Sequence, residues 1–434
     1  MAQERKREIN VPLKGIGCGQ GGSNLIVSGN KLGLFEQIAA INTTTADDML
    51  LPESNQILCL NEDNPKRGAG KDAFKGAQLF ADNIHIVKER LGLIFGSGSA
   101  DAFYMLTASL GGGSGNGIVN FLAQMLKKAM GEDPLPVLGL MTLPEDSFVE
   151  PRAARNSLMA LEEMSTKRIF DSLFIIDNNK VYEKVRSGEP LSKINERIWK
   201  PIARTLSYVG RKSNATMDVE DFEALIRTGR CAAIFEAVIP GEVNDPAELR
   251  EHIFKSWSND KHFYSNEHSN PHRILDGSYP FGFGLLIGAH STLLDKKRSL
   301  FEGLYGEMSE LLSNPMTYRG FVPDDSLGTN QIRVITILTG LPYPVERIQE
   351  IAEVAKQAAK AIIDDTPSFL DGLDKNVLVG KQKVKQSSIS SFSMMGLMEE
   401  AATENVKQDE DLFDSSIFAK SKSKPHKKKG LNFG

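Results

Sequence analysis

The feature that most restricts this chain is the run Leu-Gly-Gly-Gly-Ser-Gly-Asn-Gly at residues 110–117, with five glycines in the seven positions from Gly111. It follows an apolar, strand-like run at 103–108. It precedes residues 118–129, where Ile118, Leu122, Met125, Leu126 and Ala129 recur at helical spacing. A strand, a glycine loop and a helix therefore follow one another. Glycine admits positive φ and lets backbone N–H groups approach a ligand, and the unpaired amides of a following helix N-terminus favour an anion. The segment reads as a phosphate cradle. A flexible turn is the competing reading, but linkers seldom sit between a buried strand and an amphipathic helix. No lysine lies within or just after the loop, so it is not a Walker-type phosphate loop.

A second glycine loop, Gly17-Cys18-Gly19-Gln20-Gly21-Gly22-Ser23-Asn24, follows a strand expected at 9–16 and interrupted by Pro12. Gly17, Gly19 and Gly22 match G-x-G-x-x-G, a weak pattern alone, which raises a dinucleotide enzyme as a rival. That fold wants an acidic residue at the end of its second strand to hold the ribose. Here the second strand, 37–41, ends in Asn42-Thr43-Thr44, and the acid is missing. A turn-rich segment, 64–70, then precedes a helix pattern over 72–91. After the Gly111 loop come a strand at 136–141, a loop at 143–148, a helix at 150–165 and a strand at 172–176 that ends in Asp177-Asn178-Asn179-Lys180. Such alternation predicts an α/β parallel sheet wound on both faces. Its ligand-binding edge is the carboxyl end of the strands. The loops that begin at Gly17, Asn42, Gly68, Gly111, Leu143 and Asp177 gather there.

Residues 191–211 read as one long helix with Ile194, Ile198, Ile202, Leu206 and Val209 on one face, which Pro201 should kink or split. Beyond it, Asp218 and Asp221 stand three apart, a spacing that puts both carboxylates on one face of a first helical turn and usually marks a solvated cap. Strand candidates at 231–239, 282–289 and 333–339 and helices near 245–257, 293–312 and 345–363 are spaced like an α+β domain. From about residue 367 periodicity is lost. Residues 420–434 carry six lysines and no acid, which suggests an acidic or polyanionic partner, or only a solubilising tail. The division expected is 1–190, a central helix at 191–213, a second domain at 214–366 and a tail at 367–434. A net charge of −5 gives no hint of nucleic-acid binding by the body. Three dispersed cysteines argue against a disulfide framework or a four-thiolate zinc site. No apolar run approaches the roughly 20 residues of a membrane span. A cytoplasmic protein is expected.

Taken together, these motifs resemble those of the tubulin/FtsZ superfamily. Gly111, Gly112, Gly113, Ser114, Gly115, Asn116 and Gly117 are similar to its signature Gly-Gly-Gly-Thr-Gly-(Ser/Thr)-Gly, with serine for threonine and asparagine near the end. In matching order stand Gly19, Gln20, Gly21, Gly22, Ser23 and Asn24, then Asn42 and Thr43, Gly68, Ala69 and Gly70, Glu150 with arginines following, Asn178, and Asn195. The likeness covers about residues 9–363. Within the superfamily, residues 171–180, 217–222 and 427–434 look most like TubZ (RepX), the plasmid-partitioning branch of bacilli. No C-terminal peptide of the kind FtsZ uses to reach membrane anchors is seen, so no membrane partner is expected.

The resemblance implies a Rossmann-like GTPase domain joined by a long central helix to an α+β domain, and head-to-tail polymerisation with GTP hydrolysed between subunits. The two glycine loops would cradle phosphates of GTP or GDP, and Gly68–Gly70 would sense the γ-phosphate. Glu150 would meet the ribose with Arg152 or Arg155 nearby; the family's arginine falls where this chain has Ala154, so the choice between the two is open. Asn178 and Asn195 would read guanine, and Asp218 and Asp221 would act on the neighbouring subunit's GTP. Mg2+ would be held by phosphates and water, with no protein ligand named. The tail lysines Lys420, Lys422, Lys424, Lys427, Lys428 and Lys429 would contact a DNA-bound adaptor of the TubR type, making the filament a DNA-segregation device. An FtsZ-like or phage-tubulin role, or a nucleotide-binding scaffold without turnover, are the alternatives.

Overall fold

The computed structural model describes residues 9–96, 102–146, 151–213, 215–259, 262–276, 280–313 and 316–365. Proline has no N–H to give to a ladder. Accordingly β1 begins just after Pro12, at Leu13–Cys18, rather than running across it from residue 9. The remaining strands are β2 (Gln37–Asn42), β3 (Gln56–Leu58), β4 (Phe103–Ser109), β5 (Val137–Leu143), β6 (Ser172–Asp177), β7 (Cys231–Pro240), β8 (Gly282–Ala289), β9 (Met316–Pro323) and β10 (Gln331–Leu341). They form one ten-stranded sheet in the order β3-β2-β1-β4-β5-β6-β7-β10-β8-β9. The strands from β3 to β6 pair in parallel, and all but the short edge strand β3 are buried along nearly their whole length, as strands covered on both faces must be. The passage to β7 is a single pair, Leu173 with Cys231. Beyond it β10 lies antiparallel between β7 and β8, and β8 pairs in parallel with β9, a strand absent from the sequence reading.

The helices are α1 (Gly19–Lys31), α2 (Ala73–Asp82), α3 (Ile84–Phe95), α4 (Ser114–Met130), α5 (Pro151–Lys167), α6 (Asn178–Arg186), α7 (Leu191–Tyr208), α8 (Val219–Ile226) and α9 (Pro246–Trp257), with shorter ones after them and a last helix at Val345–Asp365. The helix expected over 72–91 is broken at Asn83, whose side-chain amide donates to the Leu79 and Leu60 carbonyls in place of a continuing helical turn. The one expected near 293–312 is two, Ser291–Lys296 and Arg298–Leu311. Lys297, between them, is turned to the Val243 carbonyl and Asn244. Conversely, α7 runs through Pro201 without splitting. Packing holds it: Trp199 is buried against α1, its indole N–H donating to the Leu25 carbonyl at 2.7 Å and its ring edge-on to Phe35. Among the described residues no helix is long and apolar enough to cross a membrane.

One consequence of α7 positions the site. It starts a few residues after α6, which leaves the carboxyl end of β6, and its 18 residues span about 27 Å at 1.5 Å per residue. Just past its far end, the Val209 carbonyl accepts from Asn10, three residues before β1 begins. The helix thus carries the chain from the carboxyl edge of the parallel sheet to its amino edge. Asp218 follows at that second edge.

Candidate functional site: the carboxyl edge of the parallel sheet

At the end of β1 the chain turns directly into a helix. Gly19 takes φ +67 and opens α1, so Gln20, Gly21, Gly22, Ser23 and Asn24 occupy its first turns. At the end of β4, residues Leu110–Gly113 form the loop and Ser114–Gly117 are already the first turn of α4, four residues earlier than the apolar spacing suggested. Neither helix has a side-chain N-cap. Their first amides have no internal acceptor and face the same edge, which is what an anion needs. The junctions touch: a methyl on Gly19 would lie 2.7 Å from the Gly115 nitrogen, and one on Gly115 would lie 2.6 Å from the Cys18 carbonyl. Glycine is required there for two backbones to meet. At Gly112, by contrast, the nearest atom to such a methyl is the Ser109 carbonyl at 3.5 Å, and Gly21 is exposed. Gly112 thus leaves room beside the amides, whereas a methyl on Gly21 would lie 3.1 Å from the Ser109 side chain.

The polar side chains of the cradle are mostly committed to building it. Ser23, fully buried, donates to the Gly19 carbonyl at 2.8 Å. Asn116, also buried, donates to the Leu110 carbonyl at 2.6 Å and the Asn156 carbonyl at 2.9 Å. What Ser23 and Asn116 can offer a phosphate is therefore backbone, not side chain. Asn42 accepts from the Thr43 amide and donates to Asp47. Thr43 is the pivot: its hydroxyl is 2.6 Å from the Ser114 hydroxyl and accepts from the Ala69 amide at 3.2 Å. It ties the loop after β2, the Gly68–Gly70 segment and the start of α4 into one unit. Gly70 takes φ +60 with open space around it.

Asn178 opens α6 immediately after β6, and Asn195 lies buried on α7 one turn before Trp199, on the face turned to α1. On α1 the Asn24 side-chain oxygen, Oδ1, is buried without a partner. An orphaned buried acceptor is costly, and a ligand donor would relieve it. Open amides, unfilled space at Gly112 and this acceptor fit a phosphate-bearing nucleotide along the edge. Arg152 and Arg155 are both exposed on the first turns of α5, so geometry does not choose between them. Glu150 and the tail lysines Lys420–Lys429 lie outside the described residues. Among the described residues no group of three His, Cys, Asp or Glu side chains could hold a metal ion.

Sequence reasoning missed two residues that shape the edge. Asn156 on α5 donates to the Lys71 carbonyl at 3.0 Å and the Gly112 carbonyl at 3.3 Å, fastening both loops. Arg347, from the last helix, reaches Asp146 and Asp177. Neither has a motif around it. A lone polar residue on an amphipathic helix looks the same whether it faces solvent or a loop.

Asp218 and Asp221 sit away from this edge. They form a reciprocal capping box at the start of α8, Asp221 N–H donating to the Asp218 carboxylate at 2.7 Å and Asp218 N–H to Asp221 at 3.3 Å. Desolvation raises the Asp221 pKa; the bond from the Asp218 amide opposes this, while the charges of Asp218 and Glu220 add to it. Asp221 also lines a cavity of about 310 Å³ with Arg298, Glu302, Tyr305 and Arg319. The length of α7 separates these carboxylates from the cradle. The structure does not bring them to the phosphates of their own chain.

A parallel sheet with two glycine junctions at its carboxyl edge and a long helix leading to a mixed second sheet is the tubulin/FtsZ GTPase fold. The comparisons agree on the fold: residues 12–186 match the family model described as Tubulin/FtsZ family, GTPase domain. It is 27% identical over 350 residues to the tubulin-like protein CetZ of Pyrococcus horikoshii, covering 80% of this chain and 89% of that one. Among solved structures, a GTPγS-bound protofilament of CetZ2 from Haloferax volcanii superposes with a TM-score of 0.62 at 23% identity, covering 81% of this chain and all of that one. A GTPγS-form protofilament of TubZ from Bacillus thuringiensis serovar israelensis gives 0.63 at 19%, over 82% and 95%. The sequence relatives include CetZ and FtsZ proteins and TubZ stands among the fold neighbours, so the narrower likeness to the TubZ branch is not confirmed.

Proposed function

We propose that this protein is a GTPase that polymerises head to tail and completes its hydrolytic site only between subunits. The observation that carries this reading is the placement of the two half-sites on opposite edges of one sheet. The cradle lies at the carboxyl ends of β1 and β4, and the carboxylates at the far end of α7. A molecule so built can join the halves only by stacking one copy on the next. Asp218 and Asp221 then position and polarise the attacking water, a role suited to carboxylates near a phosphoryl centre. Asn178 and Asn195 read the guanine edge through amides that donate and accept. Mg2+ would be held largely by the nucleotide's phosphates and water, where it would neutralise charge on the phosphoryl group, with no protein ligand named. The likeness to protofilament structures supports self-association.

For the filament's task, the basic tail and the fold likeness to TubZ favour DNA segregation through a DNA-bound adaptor in the cytoplasm. The sequence likeness to CetZ favours another cytoskeletal role. Binding of such an adaptor by the intact chain, lost on deleting residues 420–434, would select the first.

Phosphate release measured against protein concentration, with GTP and with ATP, tests the shared site. Release should need GTP and rise cooperatively as light scattering appears. Asp221→Asn and Gly112→Asp, the latter placing a carboxylate in the cradle, should each be inactive alone and regain turnover on mixing, because each supplies the half that the other lacks. Constant turnover per subunit at all concentrations, or no recovery on mixing, would end the reading.

A further inference from the structure

At the carboxyl edge Arg347 is paired with Asp146, Asp177 and Glu350, and it comes from the far end of the described chain. It lies on the first turn of the helix Val345–Asp365, and its side chain is only 5% exposed. One guanidinium nitrogen is 2.8 Å from Asp146, just after β5, and also faces the Pro144 carbonyl at 3.5 Å; another is 3.0 Å from Asp177, the last residue of β6. The two carboxylates are linked again through Asn179. Its amide nitrogen donates to Asp146 at 2.6 Å, its side-chain oxygen accepts from the Asp146 N–H at 2.9 Å, and its own N–H donates to Asp177 at 3.0 Å. Asn178 stands between Asp177 and Asn179. Its backbone is thus held on both sides by groups that Arg347 ties together. The helix that brings Arg347 is itself anchored, the Glu346 N–H donating to Glu267 at 2.7 Å.

We propose that Arg347 is a positioning residue for base recognition: it holds the β5 and β6 loops in the register that aims the Asn178 amide at the guanine edge. This rests on the reading of Asn178 given above. The alternative is a structural ion pair that only joins the last helix to the GTPase domain. Geometry favours the specific role, because the planar fork of arginine serves two loops at once, which the single ammonium of lysine cannot do. A base-reading amide displaced by about 1 Å loses much of its discrimination.

The test is steady-state turnover of the full chain, above its assembly threshold, with GTP and with ITP, which lacks the guanine 2-amino group. Arg347→Lys keeps the charge, and Asp146→Asn removes one anchor while leaving the Arg347–Asp177 pair. Each should raise KM for GTP about tenfold with kcat within about twofold, and narrow the preference for GTP over ITP. Melting without nucleotide should fall as well, because the pair is buried, so base preference is the deciding readout. Unchanged KM and GTP-to-ITP ratio in both variants would overturn the role of Arg347 while the Asn178 reading stands. A fall in melting temperature with no change in base preference would reduce it to a structural pair. If Asn178→Ala itself leaves the GTP-to-ITP ratio unchanged, base reading by Asn178 falls, and this proposal falls with it.

Discussion

At one edge of the parallel sheet the chain presents unpaired backbone amides, and at the other two side-chain carboxylates. The first edge is assembled within a single subunit. Its amides are fixed because glycine junctions press β1–α1 against β4–α4, and because Ser23, Thr43, Asn116 and Asn156 spend their hydrogen bonds on holding loops. The second edge is satisfied but idle: Asp218 and Asp221 cap α8 by bonding to each other's amides. A site made of fixed dipoles is ready before its ligand arrives. A site made of carboxylates at a helix start needs something brought to it, so the contrast itself points to a second subunit.

The comparison can be broken first at the glycines. Gly22→Ala would drive its methyl into the Thr107 carbonyl, at a position that also accepts the Thr107 hydroxyl. A loss of about 3 kcal/mol in denaturant unfolding without nucleotide is expected. Gly112→Ala has room for the methyl and should unfold within about 0.5 kcal/mol of wild type, yet bind GTP more weakly because the methyl stands beside the amides. Equal stability losses would erase the distinction between packing and cradle glycines. At the opposite edge, Asp218→Asn sharpens the contrast, since asparagine caps a helix about as well as aspartate. Stability should hold, while turnover per polymerised subunit should fall about 100-fold; normal turnover would leave Asp218 as a cap and nothing more. A loss smaller than that of Gly22→Ala is expected at Thr43→Val, which keeps shape but strands the Ser114 hydroxyl and the Ala69 amide. About 1–2 kcal/mol of stability should go, together with hydrogen-exchange protection at Ala69; unchanged protection would mean that the Gly68–Gly70 loop is held by other contacts.

Much of the first edge was legible in the sequence. Glycines at strand–helix junctions carry their signal locally, because the freedom to take positive φ and the lack of side chains at Gly111–Gly113 follow from residue type, although only the structure shows that Gly19 uses that freedom. The alternation of strands and helices predicted a parallel sheet up to β6, but not its strand order, and it left out the short strand β3. Boundaries moved where a single side chain outweighed periodicity: Asn83 broke a helix that apolar spacing had drawn as continuous, and Pro201 failed to break α7 because packing against α1 outweighed one lost hydrogen bond. Strand β9 was missed because its first half, Met316–Arg319, is only partly buried and shows no alternation.

By itself, then, the sequence determined a glycine-built anion edge on a parallel α/β sheet and two carboxylates three residues apart, features written in near neighbours. Only the tertiary structure decided that those carboxylates lie a helix length from the cradle, and that Arg347, 201 residues from Asp146, closes the loop beside Asn178. Both depend on where α7 and the last helix come to rest. That is set by burial of Trp199 and of the sheet's long apolar strands, and so by contacts between residues that no local pattern joins.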